Sequence, residues 1–210
     1  MAGMFITFEG IDGCGKTTQI KRLAHTLRSS GLSLVELREP GGTTISERIR
    51  ELLLDVRNHD MSDECELLLY EASRAQLTQQ VILPALQDGS IVLCDRFFDS
   101  TTAYQAGGRG LDEQLVSRAN ALGCCGVIPT RTLVFDLDPE EAYARATQTT
   151  PDRLEAAGLA FQKRVQQRFM GLAQQESDRV KLIDASGTIL QVEARVKREL
   201  ADIFVELADE

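Results

Sequence analysis

Gly10-Ile11-Asp12-Gly13-Cys14-Gly15-Lys16-Thr17 sets glycines, a lysine and a hydroxyl at the spacing G-x-x-x-x-G-K-[ST], and Thr18 follows directly. Each residue type suits the grip of a polyphosphate. The glycines let a tight loop turn its backbone N–H groups onto phosphate oxygens. Lys16 brings a mobile cation to the outer phosphates, and Thr17 brings a hydroxyl to Mg²⁺. Cys14 reads as a small filler of the loop, with a reactive thiol as the alternative. Asp95 follows the apolar run Ile91-Val92-Leu93-Cys94, a place from which a carboxylate holds Mg²⁺ or its waters opposite Thr17. Arg96 beside it supplies positive charge to a transferring phosphoryl group; a surface turn with a local ion pair is the other reading of this pair.

Further candidates point to a second ligand. Arg38 ends an apolar run, and Pro40-Gly41-Gly42 then forces a turn with open backbone N–H groups. An arginine there grips a second phosphate with paired hydrogen bonds. Tyr70 and Arg74 lie four residues apart, so a helix carries ring and guanidinium on one face. A base stacked on the ring would meet the arginine, although ordinary packing with a solvated charge gives the same spacing. Ser100-Thr101-Thr102-Ala103-Tyr104-Gln105 is rich in hydroxyls and ends in a carboxamide, groups that read a base edge and also cap helices.

Alternating strands and helices must position these groups. Met4–Phe8, Ser33–Leu37, Ile91–Cys94, Thr132–Asp136 and Val180–Asp184 are short apolar or β-branched runs, suited to strands buried on both faces. After the loop, Ile20, Leu23, Ala24 and Leu27 keep the period of one helix face. Thr44-Ile45-Ser46-Glu47 has capping-box spacing. A long helix is expected from about Asp63 to Leu86, with Pro84 bending or ending it. Asp138-Pro139-Glu140-Glu141 opens another helix, and the last one repeats Val192, Val196, Leu200 and Phe204. The pattern predicts an α/β fold of three layers, α/β/α, around a five-stranded parallel sheet, with ligands at the carboxyl ends of the strands. The polar stretch Thr147–Asp152 reads as a mobile flap.

The 210 residues fit one domain. A net charge of −9, from 23 basic and 32 acidic side chains, disfavours a nucleic-acid polymer as partner but leaves room for a small phosphorylated substrate among clustered arginines. No apolar stretch reaches ~18 residues and no export signal is evident, so neither a membrane partner nor secretion is expected. Five cysteines without C-x-x-C spacing suggest reduced thiols and a cytoplasmic protein. A phosphate loop alone suits kinases, GTPases, motors and sensors; the guanine-reading N-K-x-D is absent.

In order along nearly the whole chain, these residues resemble the thymidylate kinase (dTMP kinase) family. The resemblance is carried by Phe8-Glu9-Gly10 through Thr18, Arg38-Glu39-Pro40-Gly41-Gly42-Thr43, Leu69-Tyr70-Glu71-Ala72-Ser73-Arg74, Asp95-Arg96-Phe97, and Ala103-Tyr104-Gln105 with Gly108-Arg109-Gly110. It implies the P-loop NTPase-type fold with a small lid over about residues 145–156. It also implies a homodimer, and transfer of the γ-phosphate of ATP to dTMP with Mg²⁺. Lys16 and the loop from Gly10 to Thr18 would hold the ATP phosphates, and Thr17 and Asp95 the metal. Arg38 and Arg96 would hold the dTMP phosphate. Asp12 would meet the 3′-hydroxyl or an arginine network, Tyr70 would stack on thymine, and Arg74 would hydrogen-bond it. Tyr104 would crowd a ribose 2′-hydroxyl, with Ser100, Thr101 and Gln105 near the base. Glu9 would reach Mg²⁺ through water or hold the loop. Ile11, Asp12, Gly13 and Cys14 include no basic residue, so the cation for transfer is expected from the lid: Arg153, acting as an arginine finger in cis, with Arg145 as the alternative. A kinase for another small acceptor, or a nucleotide-binding regulator without turnover, are the competing readings.

Overall fold

The computed structural model describes residues 3–146 and 153–207. Its strands are β1 (Met4–Glu9), β2 (Leu34–Arg38), β3 (Ile91–Asp95), β4 (Arg131–Asp136) and β5 (Val180–Asp184). They form one parallel sheet in the order β2-β3-β1-β4-β5. Each lies within one residue of its predicted bounds. Side chains alternate between faces, and both faces are covered. Phe5, Val92 and Cys94 share a core with Leu77, Ile82 and Phe97. Ile6, Phe8, Leu93 and Leu133 share another with Leu23, Leu27, Val192 and Val196. Burial on both sides is why the central strands β1, β3 and β4 read as apolar runs, whereas the edge strands β2 and β5 are only partly covered.

The helices are α1 (Lys16–Ser29), α2 (Thr44–Leu54), α3 (Asp63–Leu77), α4 (Leu83–Gln87), α5 (Phe98–Thr101), α6 (Glu113–Gly123), α7 (Pro139–Ala146), α8 (Leu159–Gln175) and α9 (Ile189–Leu200). Three differ from expectation. Thr43, not Thr44, caps α2, its hydroxyl accepting from the Ser46 N–H at 3.1 Å. That shift frees Glu47 to hold the Gly42 N–H and Arg38. The single long helix is instead α3 and α4 joined by a π-helical turn, Thr78–Ile82. Pro84 has no N–H to offer the ladder, and the widened turn just ahead of it absorbs the lost rung. Phe204 is buried but lies past the end of α9. At α7, Asp138 accepts from the N–H groups of Glu140 and Glu141, as the sequence predicts. The expected flap over 147–152 lies outside the described residues. No helix among the described residues is long and apolar enough to cross a membrane.

Strand order places the site. Chain leaving β1 runs to β2 at one edge, while chain leaving β3 crosses to β4 on the far side of β1. The two loops diverge from neighbouring strands, and a crevice opens between their carboxyl ends. Register then lines up the chemistry: Asp95 pairs with Phe8 on one side and with Arg38 on the other.

Candidate active site

The loop from Gly10 to Gly15 joins β1 to the first turn of α1. Gly10, Gly13 and Gly15 all take positive φ, which turns successive N–H groups toward one concavity. Gly13 is also a contact point: a Cβ there would lie 2.1 Å from the carbonyl oxygen of Ala142, so α7 packs directly on the loop. Ile11 and Cys14 turn their side chains into the core, which fits Cys14 as filler. Lys16 folds back over the loop, its Nζ donating to the carbonyls of Gly10 and Ile11 at 3.0 Å each. Thr17 Oγ1 donates to Asp95 Oδ2 at 3.1 Å. A hydroxyl and a carboxylate so placed are hard oxygen donors on the phosphate side of the crevice.

Arginines ring the crevice. Arg96 holds a left-handed φ of 73°, rare for a side-chain-bearing residue, and so aims its guanidinium back at the loop. It donates to Gly10 O at 2.9 Å, to Ser100 Oγ at 3.1 Å and to Asp12 Oδ1 at 2.5 Å, and lies 5.0 Å from the centre of the Tyr104 ring. Asp12 therefore belongs to the arginine network. Burial pushes its carboxyl up, but the charges of Arg96 and Lys16 outweigh burial and hold it below the ordinary carboxylate range. Arg38 donates to Pro40 O and to Glu47, which leans it over the same crevice. Lys16, Thr17, Thr18, Arg38, Asp95 and Arg96 all line one cleft.

A second, deeper pocket adjoins it, lined by Tyr70, Ser100, Thr101, Tyr104 and Gln105 together with Asp12 and Arg96. Asp12 and Arg96 thus border both spaces. The hydroxyl of Thr101 is buried without a hydrogen-bond partner among the described residues. Burial raises the Tyr104 phenol far above its usual value, so it stays neutral. Glu9 lies beneath, accepting from the Phe97 N–H and from Ser100. Burial and the nearby charge of Asp99 push its carboxyl up to about 8.

The structure brings further residues to these linings and places two expected ones elsewhere. Arg50 and Glu39 line both spaces, and Leu54 and Leu154 wall the inner pocket. Arg50 donates to Pro40 O at 2.9 Å. No sequence signal singles it out, because it sits beside the apolar positions of α2. Arg74 is not in the pocket lining. It is 1% exposed, engaged by Glu39 and Glu71, with the Phe97 ring 5.3 Å away. Four-residue spacing put Tyr70 and Arg74 on one face, but two buried glutamates draw the guanidinium inward. Here Arg74 holds Glu39, which in turn lines the cleft, rather than facing the space where a base contact was expected. Arg153 is not brought to the phosphate loop either. Its Nε donates to Leu53 O at 2.8 Å and its Nη2 lies 2.5 Å from Glu66. Arg145 pairs with Glu141 on α7, one residue before Ala146, whose backbone abuts Gly13.

A family model described as thymidylate kinase matches residues 8–196. A thymidylate kinase of Pelodictyon phaeoclathratiforme is 44% identical over 211 residues, covering 96% of this chain and 97% of that protein. Another, of Prosthecochloris aestuarii, is 49% identical over 193 residues, covering 87% of this chain and 86% of its own length. Among solved structures, the crystal structure of thymidylate kinase from Ehrlichia chaffeensis matches with a TM-score of 0.77 at 35% identity, covering 95% of this chain and 99% of that one.

Proposed function

The chain belongs to the thymidylate kinase family, and from that premise we propose how its residues transfer the γ-phosphate of ATP to dTMP, giving ADP and dTDP. The carrying observation is that Lys16, Arg38, Asp95 and Arg96 line a single cleft continuous with an inner pocket through Asp12, Glu39, Arg50 and Arg96. Two anionic ligands meeting end to end need such a concentration of cations, and a sensor of ATP alone needs no second anionic pocket.

The loop amides cradle the ATP phosphates, and Lys16 exchanges its bonds to the loop carbonyls for phosphate oxygens. dTMP enters the inner pocket with thymine against Tyr70 and its phosphate toward Arg38, Arg50 and Arg96. Ser100, Thr101 and Gln105 lie along its base side, and buried Tyr104 fills space beside the sugar. The attacking oxygen is already ionised, so no strong general base is required, and catalysis rests on alignment and charge stabilisation. Thr17 and Asp95 fit Mg²⁺, which keeps most of its waters and phosphate ligands and asks few oxygens of the protein. When bound, the ion neutralises charge on the phosphates. Glu9, held neutral up to about pH 8, adds no negative charge beneath them.

For the cation at the transferring group, Arg145 starts beside the loop, whereas Arg153 has to leave Leu53 and Glu66. We assign the role to Arg145. The domain reading is one kinase unit with a lid over about residues 145–156. Outward-facing Leu68 on α3 and Leu115 and Leu122 on α6 support a homodimer, and five free cysteines support a reducing cytoplasmic setting. The decisive experiment is ADP release with ATP and Mg²⁺ across nucleoside monophosphates. Release that depends on dTMP is expected. ADP release indifferent to any acceptor would refute the kinase reading.

A further inference from the structure

Glu66 lies in the first turn of α3 and is wholly buried. Its Oε1 accepts from Gln105 Nε2 at 2.7 Å and from Arg109 Nε at 3.2 Å. Its Oε2 accepts from Arg109 Nη2 at 2.9 Å and lies 2.5 Å from Arg153 Nη2. Burial pushes this carboxyl up, but the hydrogen bonds from Arg109 and Gln105 and the charges of Arg109 and Arg153 outweigh it, leaving it below the ordinary value and ionised. An ionised carboxylate only accepts hydrogen bonds. The Gln105 carboxamide therefore has one permitted sense: its NH₂ faces Glu66, and its oxygen takes no donor from the protein among the described residues. Gln105 lines the inner pocket beside Thr101 and Tyr70.

We infer that Glu66 is a specificity-determining positioning residue: by fixing the amide of Gln105 it presents an oxygen, never an NH₂, to the base, and so selects a pyrimidine that carries hydrogen on N3. Thymine and uracil carry that hydrogen between their two carbonyls. Cytosine has a lone pair there, which would meet the Gln105 oxygen lone pair to lone pair. An amide free to rotate by half a turn would satisfy either base, so discrimination lies in the carboxylate behind it. This rests on reading the pocket as the dTMP site, and it adds a cause for the choice of base.

Glu66→Gln tests it, because the substituted amide both donates and accepts and no longer dictates the sense of Gln105. Glu66→Asp is the companion variant, keeping the charge that Arg109 and Arg153 require while withdrawing the carboxylate by one methylene. The readout is the ratio of kcat/KM for dTMP to that for dCMP. A fall of about tenfold or more, carried mainly by KM, is expected. A ratio that stays constant while both substrates slow together assigns Glu66 to structure alone and overturns the inference. Wild-type protein gives an independent reading: dTMP methylated at N3 is expected to bind at least about tenfold more weakly than dTMP, and equal binding would also overturn it. Wild-type turnover of dTMP is measured first, so failure of the kinase reading is seen separately.

Discussion

At the scale of single residues, charge is placed by what lies behind it. Arg74 and Arg153 both met the sequence criteria for ligand contacts, yet buried glutamates hold them: Glu39 and Glu71 for the first, Glu66 for the second. A sequence shows that an arginine is four residues from a tyrosine, but not which buried carboxylate competes for it. Arg38, Asp95 and Arg96 were legible because strand ends fix them, and Arg50 was not because it borders a helix's apolar face. The consequence for transfer is measurable. Arg145→Ala is expected to lower kcat by about 10²-fold or more, the usual cost of a transition-state charge, with Arg153→Ala costing less. Single-turnover rates decide it, and the reverse order would return the role to Arg153. Glu9 gives a second expectation. The folded protein keeps its proton to about pH 8, whereas an ordinary glutamate releases it near 4.5. Its contribution to stability is therefore complete below that lower value and is lost as pH rises through the upper one. Across this window the unfolded chain holds fewer protons, so stability falls by up to about 1.4 kcal/mol per pH unit for this group. Burial, partly offset by Arg74, raises Glu39 to about 7, which adds the same sign of slope. Glu9→Gln is expected to flatten the decline in Tm between those values; an unchanged slope would show that Glu9 is ionised throughout.

At the scale of elements, the strands were readable to within a residue: burial on both faces leaves an apolar run in β1, β3 and β4, and the edge strands β2 and β5 still stand out as short runs between turn signals. Helix ends were less so. Adjacent threonines, Thr43 and Thr44, compete for one cap, and only the backbone decides. The π-helical turn before Pro84 carries a cue in the proline but none for how the chain absorbs it. The contact of α7 with the phosphate loop had no sequence signal at all, since it joins Gly13 to Ala142 across the fold. Gly13→Ala tests that contact: its methyl meets a carbonyl oxygen at 2.1 Å, on a backbone with φ of 82°. Something must shift, and the loop is anchored at both ends by β1 and α1, so α7 is the element that gives way. Weakened ATP binding by about tenfold and a Tm lowered by several degrees are expected, by calorimetry and thermal melting. Unaltered ATP affinity would mean that α7 does not shape the loop.

For the molecule as a whole, α3 works on two sides. At 100° per residue, Glu66 and Tyr70 share the side turned to the inner pocket, and Leu68 lies nearly opposite. Leu68 is 65% exposed, and on α6, packed beside α3, Leu115 and Leu122 stand seven residues apart on one face, the latter 78% exposed. Three large apolar side chains thus stay exposed on two helices that pack together, a surface that a second copy of the chain would cover about a two-fold axis. The proposed dimer would have a consequence for catalysis: α3 carries Tyr70 and the glutamate proposed to orient Gln105, so a partner bracing its outer side would steady the inner one. Leu122→Asp puts a charge on this exposed apolar surface, at a residue that lines neither the cleft nor the inner pocket. The wild type is expected to sediment at twice the chain mass and the variant at the chain mass. If α3 is braced by the partner, the monomeric variant also shows a raised KM for dTMP with little change in KM for ATP. Wild-type protein sedimenting as a single chain would remove the dimer. A monomeric variant with unchanged KM for dTMP would keep the dimer but sever it from the pocket.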